Sequence, residues 1–112
     1  VARNIHNAIS PAGGGREGWR AAFEGLVDQL AAFGPDLVLI SAGFDAHRDD
    51  PLGGGPQGQA LEAEDYGWAT ARILTVAEAS ARGRVVSALE GGYDLGALGR
   101  SAVAHVRALQ GG

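Results

Sequence analysis

The sequence predicts an α/β fold: a parallel sheet sandwiched by helices. Two observations carry the prediction. Strand-like and helical apolar patterns alternate along the chain in the order (β)αβαβα, and the run "LVLI" at residues 37–40 is apolar at every position, as a strand covered on both faces must be.

The elements follow in order. "RNIHNAI" at residues 3–9 alternates loosely between apolar and polar, which predicts a short strand ending at Ser10-Pro11. "GGGREG" is loop. From it rises a helix over residues 17–33, with Trp19, Phe23, Leu26, Val27, Leu30 and Phe33 on one stripe, stopped by Gly34-Pro35. Residues 36–42 form the doubly covered strand, and residues 43–60 a long loop of glycine, aspartate and proline. A second helix is expected over residues 64–81. It turns Tyr66, Ala69, Ile73, Val76 and Ala77 inward and sets Glu62, Glu64 and Asp65 at its positive end. Gly83 ends it, and "RVVSAL" at residues 84–89 is the next strand. "EGGYD" leads to Asp94 as N-cap of a last helix built on Leu95, Leu98, Ala102, Val106 and Leu109.

At 112 residues the chain has room for one core. Two or three parallel strands leave bare sheet edges, which stable proteins cover or pair, so the expectation is a segment of a larger domain or a chain needing a partner. The absence of methionine and the opening on Val1 agree with that expectation. Net charge is −4 and the nine basic residues, all arginine, are scattered, which argues against direct nucleic-acid binding. No apolar stretch approaches the roughly 20 residues of a membrane span. No secretory pattern opens the chain, and the cytoplasm is the expected compartment. Without cysteine, a bound metal must use carboxylate, imidazole or carbonyl oxygen.

In open α/β sheets, ligands sit beyond the carboxyl ends of the strands. The two exits here are "SAGFDAHRDDPLGG" and "LEGGYD". If the strands are neighbours, Asp45 and Tyr93 face one crevice. The carboxylate then suits a divalent cation, and the phenol suits an oxyanion forming beside it. Gly91 and Gly92 let backbone approach a substrate. Singly, an aspartate after a strand also serves as a turn former and Gly-Gly-Tyr as a simple turn; their pairing is what points to a site. "DAH" offers His47 as a second ligand if extended, although a supporting or solvent-exposed histidine is the simpler reading. Asp49 and Asp50, before Pro51, read as turn formers screened by Arg48. Glu90 reads as a carboxylate anchoring the glycine loop through backbone N–H groups. His6, His105, Trp19 and Trp68 read as structural. Gly13 to Gly15 lack a phosphate-loop pattern.

"PDLVLISAGFDAHRDDPLGG", "DYGWAT" and "GRVVSALEGGYDLGALGRSAVAHVRAL" resemble the C-terminal part of the histone deacetylase superfamily. The nearest likeness is to its class II and bacterial branches, which include acetylpolyamine amidohydrolases and acetoin-utilisation proteins. "LEGGY", in place of four glycines, points to the class II side. The resemblance implies an arginase/deacetylase-like three-layer fold of which residues 1–112 are the incomplete C-terminal segment. It also implies hydrolysis of N-acetyl amides, acetyl-lysine or acetylpolyamine, with one Zn²⁺. By the same likeness Asp45 is a zinc ligand, Tyr93 polarises the acetyl carbonyl, and Gly91 and Gly92 line the acetyl-binding end of the channel. The family's Asp-x-His ligand pair and adjacent histidines find no counterpart among His6, His47 and His105. The chain alone is therefore expected to be inactive, with the missing N-terminal part of the domain as its partner. Glu62 stands where the family often has a threonine or serine cap. Two other readings are a non-catalytic truncated or split-gene interaction segment, and another arginase-like metallohydrolase in which Asp49 or Asp50 reaches the crevice.

Overall fold

A computed structural model describes residues 4–111 of the chain. Its elements are α1 (Gly15–Phe33), β1 (Val38–Ala42), α2 (Ala63–Ser80), β2 (Val85–Leu89) and α3 (Leu95–Leu109). The two strands pair in parallel, with Val38 opposite Val85 and Ala42 opposite Leu89. This is the α/β arrangement with a parallel sheet that the sequence predicts.

The expected strand near the N-terminus is absent at residues 4–9, and Arg3 lies outside the described residues. A strand exists where a neighbour takes its backbone N–H and C=O groups. Here the described sheet contains β1 and β2 alone, and Ile5 and Ile9 are exposed.

One sheet face carries the core. Val38 packs with Ala77 of α2 and with Ala81, which caps that helix, while Ala42 packs with Phe44, Leu61 and Tyr66. The other face, expected to be covered too, is bare among the described residues: Leu39 is 71% exposed and its register partner Val86 56%. Among the described residues, then, the helical layer lies on one side of the sheet.

Helix α2 buries four of the five residues its periodicity predicts, Tyr66, Ala69, Val76 and Ala77, and the fifth, Ile73, is half-buried against Val38, Ala77 and Ala81. No serine or threonine caps it. Asp65 instead reaches back to accept from the Glu62 N–H at 2.8 Å, so the initiating turn is capped from within the helix. In α1, Val27 is buried but Phe33, at the end of the expected stripe, is exposed. Asp94 caps α3 by accepting from the Ala97 N–H at 2.9 Å, as expected.

The packed face of α3 overlaps the expected one at Leu98 and Ala102, which pack against the core, but is rotated from it. Ala97, Ser101 and His105 are buried, whereas Leu95 and Val106 are exposed. The His105 ring explains the rotation. Its Nδ1 lies 2.7 Å from Thr70 Oγ1 on α2 and its Nε2 lies 2.8 Å from Ser87 Oγ on β2. Since Thr70 Oγ1 donates to the Tyr66 carbonyl at 2.6 Å, it accepts from His105 Nδ1–H, leaving Nε2 to accept from Ser87. One imidazole thus ties three elements, and the small side chains beside it let the backbones approach. His105 has the structural role the sequence suggested.

The 43–62 segment is folded back on itself, with Arg48, Asp49 and Leu52 still exposed. Leu61 is fully buried, its N–H donates to the Ala46 carbonyl, and its own carbonyl accepts from the Arg48 N–H. That closure brings Asp50 beneath the exit of β2. No helix among the described residues is long and apolar enough to cross a membrane.

Candidate active site

The ladder of the two strands continues past their ends. Glu90 N–H donates to the Ala42 carbonyl and Phe44 N–H donates to the Gly91 carbonyl, each at 2.8 Å. "AGFD" and "EGGY" are therefore held side by side at the carboxyl end of the sheet. Phe44 is buried and meets the Tyr66 ring edge-on, with centroids 5.0 Å apart. It also packs against His105, at 5.6 Å. Anchoring Phe44 in the core leaves Asp45, the next residue, half-buried beside Gly91.

Gly91 measures how close these groups stand. A β-carbon there would lie 2.7 Å from Asp45 Oδ2 and 3.4 Å from the Tyr93 hydroxyl. The structure thus brings Asp45, Gly91 and Tyr93 into one small space. Gly92, at φ +142°, passes close to Leu98, 2.8 Å from where its β-carbon would be. A bulkier residue at either position meets an occupied neighbour. Tyr93 itself is 64% exposed, so its ring is open to an incoming molecule.

His47 is buried, not solvent-exposed. Its Nδ1 accepts from the Asp49 N–H at 3.0 Å, and its Nε2 lies 4.0 Å from Glu62. The "DAH" pair therefore splits: the Asp45 carboxylate lies beside Gly91, and the imidazole serves the loop. Asp49 pairs at the surface with Arg100, at 2.8 Å. Glu90 is exposed. The carboxylate that anchors the glycine loop belongs to Asp50, which accepts from the Tyr93 N–H at 2.7 Å and from the Leu52 N–H at 2.9 Å.

Asp50 is the functional-site residue that sequence reasoning missed. The Asp-Pro signal accounts for its turn contact with Leu52 but carries no trace of a partner 43 residues away. Burial pushes its carboxyl pKa up, yet the N–H groups of Leu52, Tyr93, Asp94 and Gly53 outweigh this and hold it below the usual carboxylate range. Beneath the site, burial pushes the Tyr66 phenol well up, and the negative charges of Asp45, Asp50 and Asp65 add to the shift. Of the two tyrosines, Tyr66 is a protonated core residue and Tyr93 the exposed one.

The donor set admits one carboxylate ligand. Asp45 is the acid in the 45–50 stretch whose oxygens are taken neither by arginine nor by a cradle of backbone N–H groups. Among the described residues no group of three or more histidine, aspartate or glutamate side chains gathers into a metal site. A catalytic zinc takes three protein ligands and an open position, so Asp45 fits as one member of a larger set.

The profile of the histone deacetylase domain matches residues 2–109. Type-2 histone deacetylase 1 of Dictyostelium discoideum is 42% identical over 88 residues, which make up 79% of this chain and 6% of that protein. Histone deacetylase 10, chloroplastic, of Oryza sativa subsp. japonica is 39% identical over 106 residues, 94% of this chain and 23% of the rice protein. The solved structure of the histone deacetylase Clr3 superposes with a TM-score of 0.68 at 34% identity, covering 83% of this chain and 14% of that one. The HDA15 HD domain superposes with a TM-score of 0.65 at 34% identity, over 77% of this chain and 22% of that one. The chain thus spans less than a quarter of the length of each relative it is compared with here. With residues 2–109 of its 112 matched by the domain profile, and by its fold, the chain belongs to the histone deacetylase family.

Proposed function

We propose that this chain supplies one metal-holding carboxylate and one oxyanion-donating phenol to a zinc-dependent hydrolase of N-acetyl amides. The substrate class is acetyl-lysine in a protein or an acetylated polyamine, and the "LEGGY" exit favours the class II side of the family. The observation that supports this reading is the shared space at Gly91, with the Asp45 carboxylate on one side and the Tyr93 hydroxyl on the other.

The net reaction adds water across the amide C–N bond and gives acetate and the free amine. Zinc, when bound, supplies Lewis acidity that polarises the acyl carbonyl. Asp45 contributes a negative oxygen donor to that ion. Tyr93 donates its O–H to the carbonyl oxygen as negative charge gathers there, a contribution made mainly in the transition state. Gly91 and Gly92 present backbone without side chains, which leaves room for the acetyl group.

The remaining ligands and the proton-handling base are proposed to come from a further part of the domain, and the chain by itself to be inactive. The bare sheet face and the single carboxylate ligand support this. A second metal held by Asp49 or Asp50 has less support, because Arg100 and the backbone N–H groups occupy those carboxylates.

The test uses the full-length protein. Tyr93→Phe should lose most turnover on acetyl-lysine and acetylpolyamine substrates while retaining zinc, and Asp45→Ala should lose zinc. Full turnover in the first, or full metal content in the second, removes the assignment.

A further inference from the structure

We infer that Asp50 is a positioning residue, whose buried carboxylate fixes the backbone at Tyr93 and so holds the phenol beside Asp45. The inference rests on the reading of Tyr93 as oxyanion donor and adds a residue to it.

Three anchors hold the segment that leaves β2. Gly91 is held to β1 through its carbonyl, and Asp94 is held by its own capping role on α3. Between them, Tyr93 has a ring that is largely exposed, so packing does little to orient it. Its backbone N–H is fixed by Asp50 Oδ2 at 2.7 Å. Asp50 is 2% exposed, and its other oxygen is spent on Leu52. The carboxylate therefore joins the folded loop after β1 to the exit of β2, directly under the phenol.

The geometry also says what Asn would do there. An amide keeps the shape and one acceptor oxygen but turns an NH₂ toward backbone N–H donors on one side, those at Leu52 or those at Tyr93. The loop can keep its Leu52 turn only by facing N–H to N–H at Tyr93. The expected result is a displaced phenol on an intact fold. A displacement of that kind costs catalysis steeply, since an error of about 1 Å in a reacting group can cost on the order of a hundredfold.

The experiment compares wild type, Asp50→Asn and Asp49→Asn in the full-length protein, labelled with 3-fluorotyrosine. Resonances are assigned with Tyr93→Phe and Tyr66→Phe. Asp50→Asn should shift or broaden the Tyr93 fluorine signal well beyond the small shift that loss of the Asp50 charge gives Tyr66. It should also lower kcat about tenfold to a hundredfold, with KM and zinc content unchanged; Asp49→Asn should match wild type. An unmoved Tyr93 signal overturns the inference. So does a comparable shift of both tyrosine signals together with a loss of thermal stability, which marks Asp50 as a fold residue only. If Tyr93→Phe keeps full turnover, the oxyanion reading fails, while the fluorine signal still decides whether Asp50 positions Tyr93.

Discussion

Gly91 lies so close to Asp45 that a β-carbon on the glycine would stand 2.7 Å from the carboxylate Oδ2. The contact is to the tip of a side chain, so an alanine there displaces the carboxylate rather than the backbone. Gly92 is the opposite case, because its φ of +142° strains any L side chain and its β-carbon would meet Leu98. Gly91→Ala should therefore lower zinc affinity in the full-length protein by tenfold or more, on the scale of disturbed ligand geometry, with little change in melting temperature. Gly92→Ala should destabilise the fold by about 1–3 kcal/mol. Metal titration and thermal melts separate the two. Equal effects of both variants on stability would show that Gly91 is not shaped around Asp45.

The clamp between α1 and α2 predicts acid sensitivity. Asp65 is fully buried and accepts from Arg16 Nε and Arg20 Nε, each at 2.7 Å, as well as capping its own helix. Burial raises its pKa, but the Arg16, Glu62 N–H and Arg20 bonds outweigh this and lower it below the ordinary 3.8. The sign follows from linkage. The unfolded carboxyl takes up a proton first, so the stabilisation is complete above pH 3.8 and is lost as pH falls through the depressed folded-state value. Asp65→Asn should cost about 2–4 kcal/mol at neutral pH, from strong hydrogen bonds to charged groups and a broken ion pair. Below pH 3.8 the gap between variant and wild type should narrow, as measured by urea unfolding across acid pH.

How much was legible follows from the range of each signal. The three helices and two strands are written in local periodicity, and the two strand exits, each a short motif, meet because consecutive parallel strands pair. Asp50 is different: its bond to Tyr93 depends on how residues 43–62 fold back, and nothing local records that. The face of α3 departs from its apolar pattern in part, at Leu95 and Val106, for a related reason. Leu95 and Val106 are the more apolar residues, yet the polar bridge at His105 decides which side turns inward. The run at residues 37–40 reads as doubly buried in sequence because it is apolar at every position, yet Leu37 and Leu39 are exposed, since periodicity cannot tell which neighbours are there to cover them.

His105 gives a second pH signal with the opposite chemistry. Burial lowers its pKa below the ordinary 6.5, so the folded ring stays neutral while the unfolded one takes up a proton. Stability should be full above pH 6.5 and fall as pH drops from there toward the folded-state value. His105→Gln should remove that slope relative to wild type and cost about 1–3 kcal/mol at neutral pH by leaving the Ser87 and Thr70 hydroxyls poorly paired. Denaturant melts over mildly acid pH check both. A slope that survives in the variant would assign the effect to another group.

The bare side of the sheet sets the last prediction. Leu39 and Val86 face each other in register, both more than half exposed, on strands whose outer edges have no neighbour among the described residues. Exposed apolar surface next to unpaired strand edges drives association. The chain produced by itself should therefore self-associate as concentration rises and bind a hydrophobic dye. Leu39→Glu with Val86→Lys should make it monomeric in sedimentation and reduce dye binding, because charge on this face opposes stacking while the paired opposite signs keep β1 and β2 together. Neither residue touches the core described above, so secondary structure by circular dichroism should be retained. If the further part of the domain proposed above covers this face, the same double substitution in the full-length protein should instead be destabilising, since the two charges would then be buried. Equal tolerance in both settings would mean that nothing covers this face.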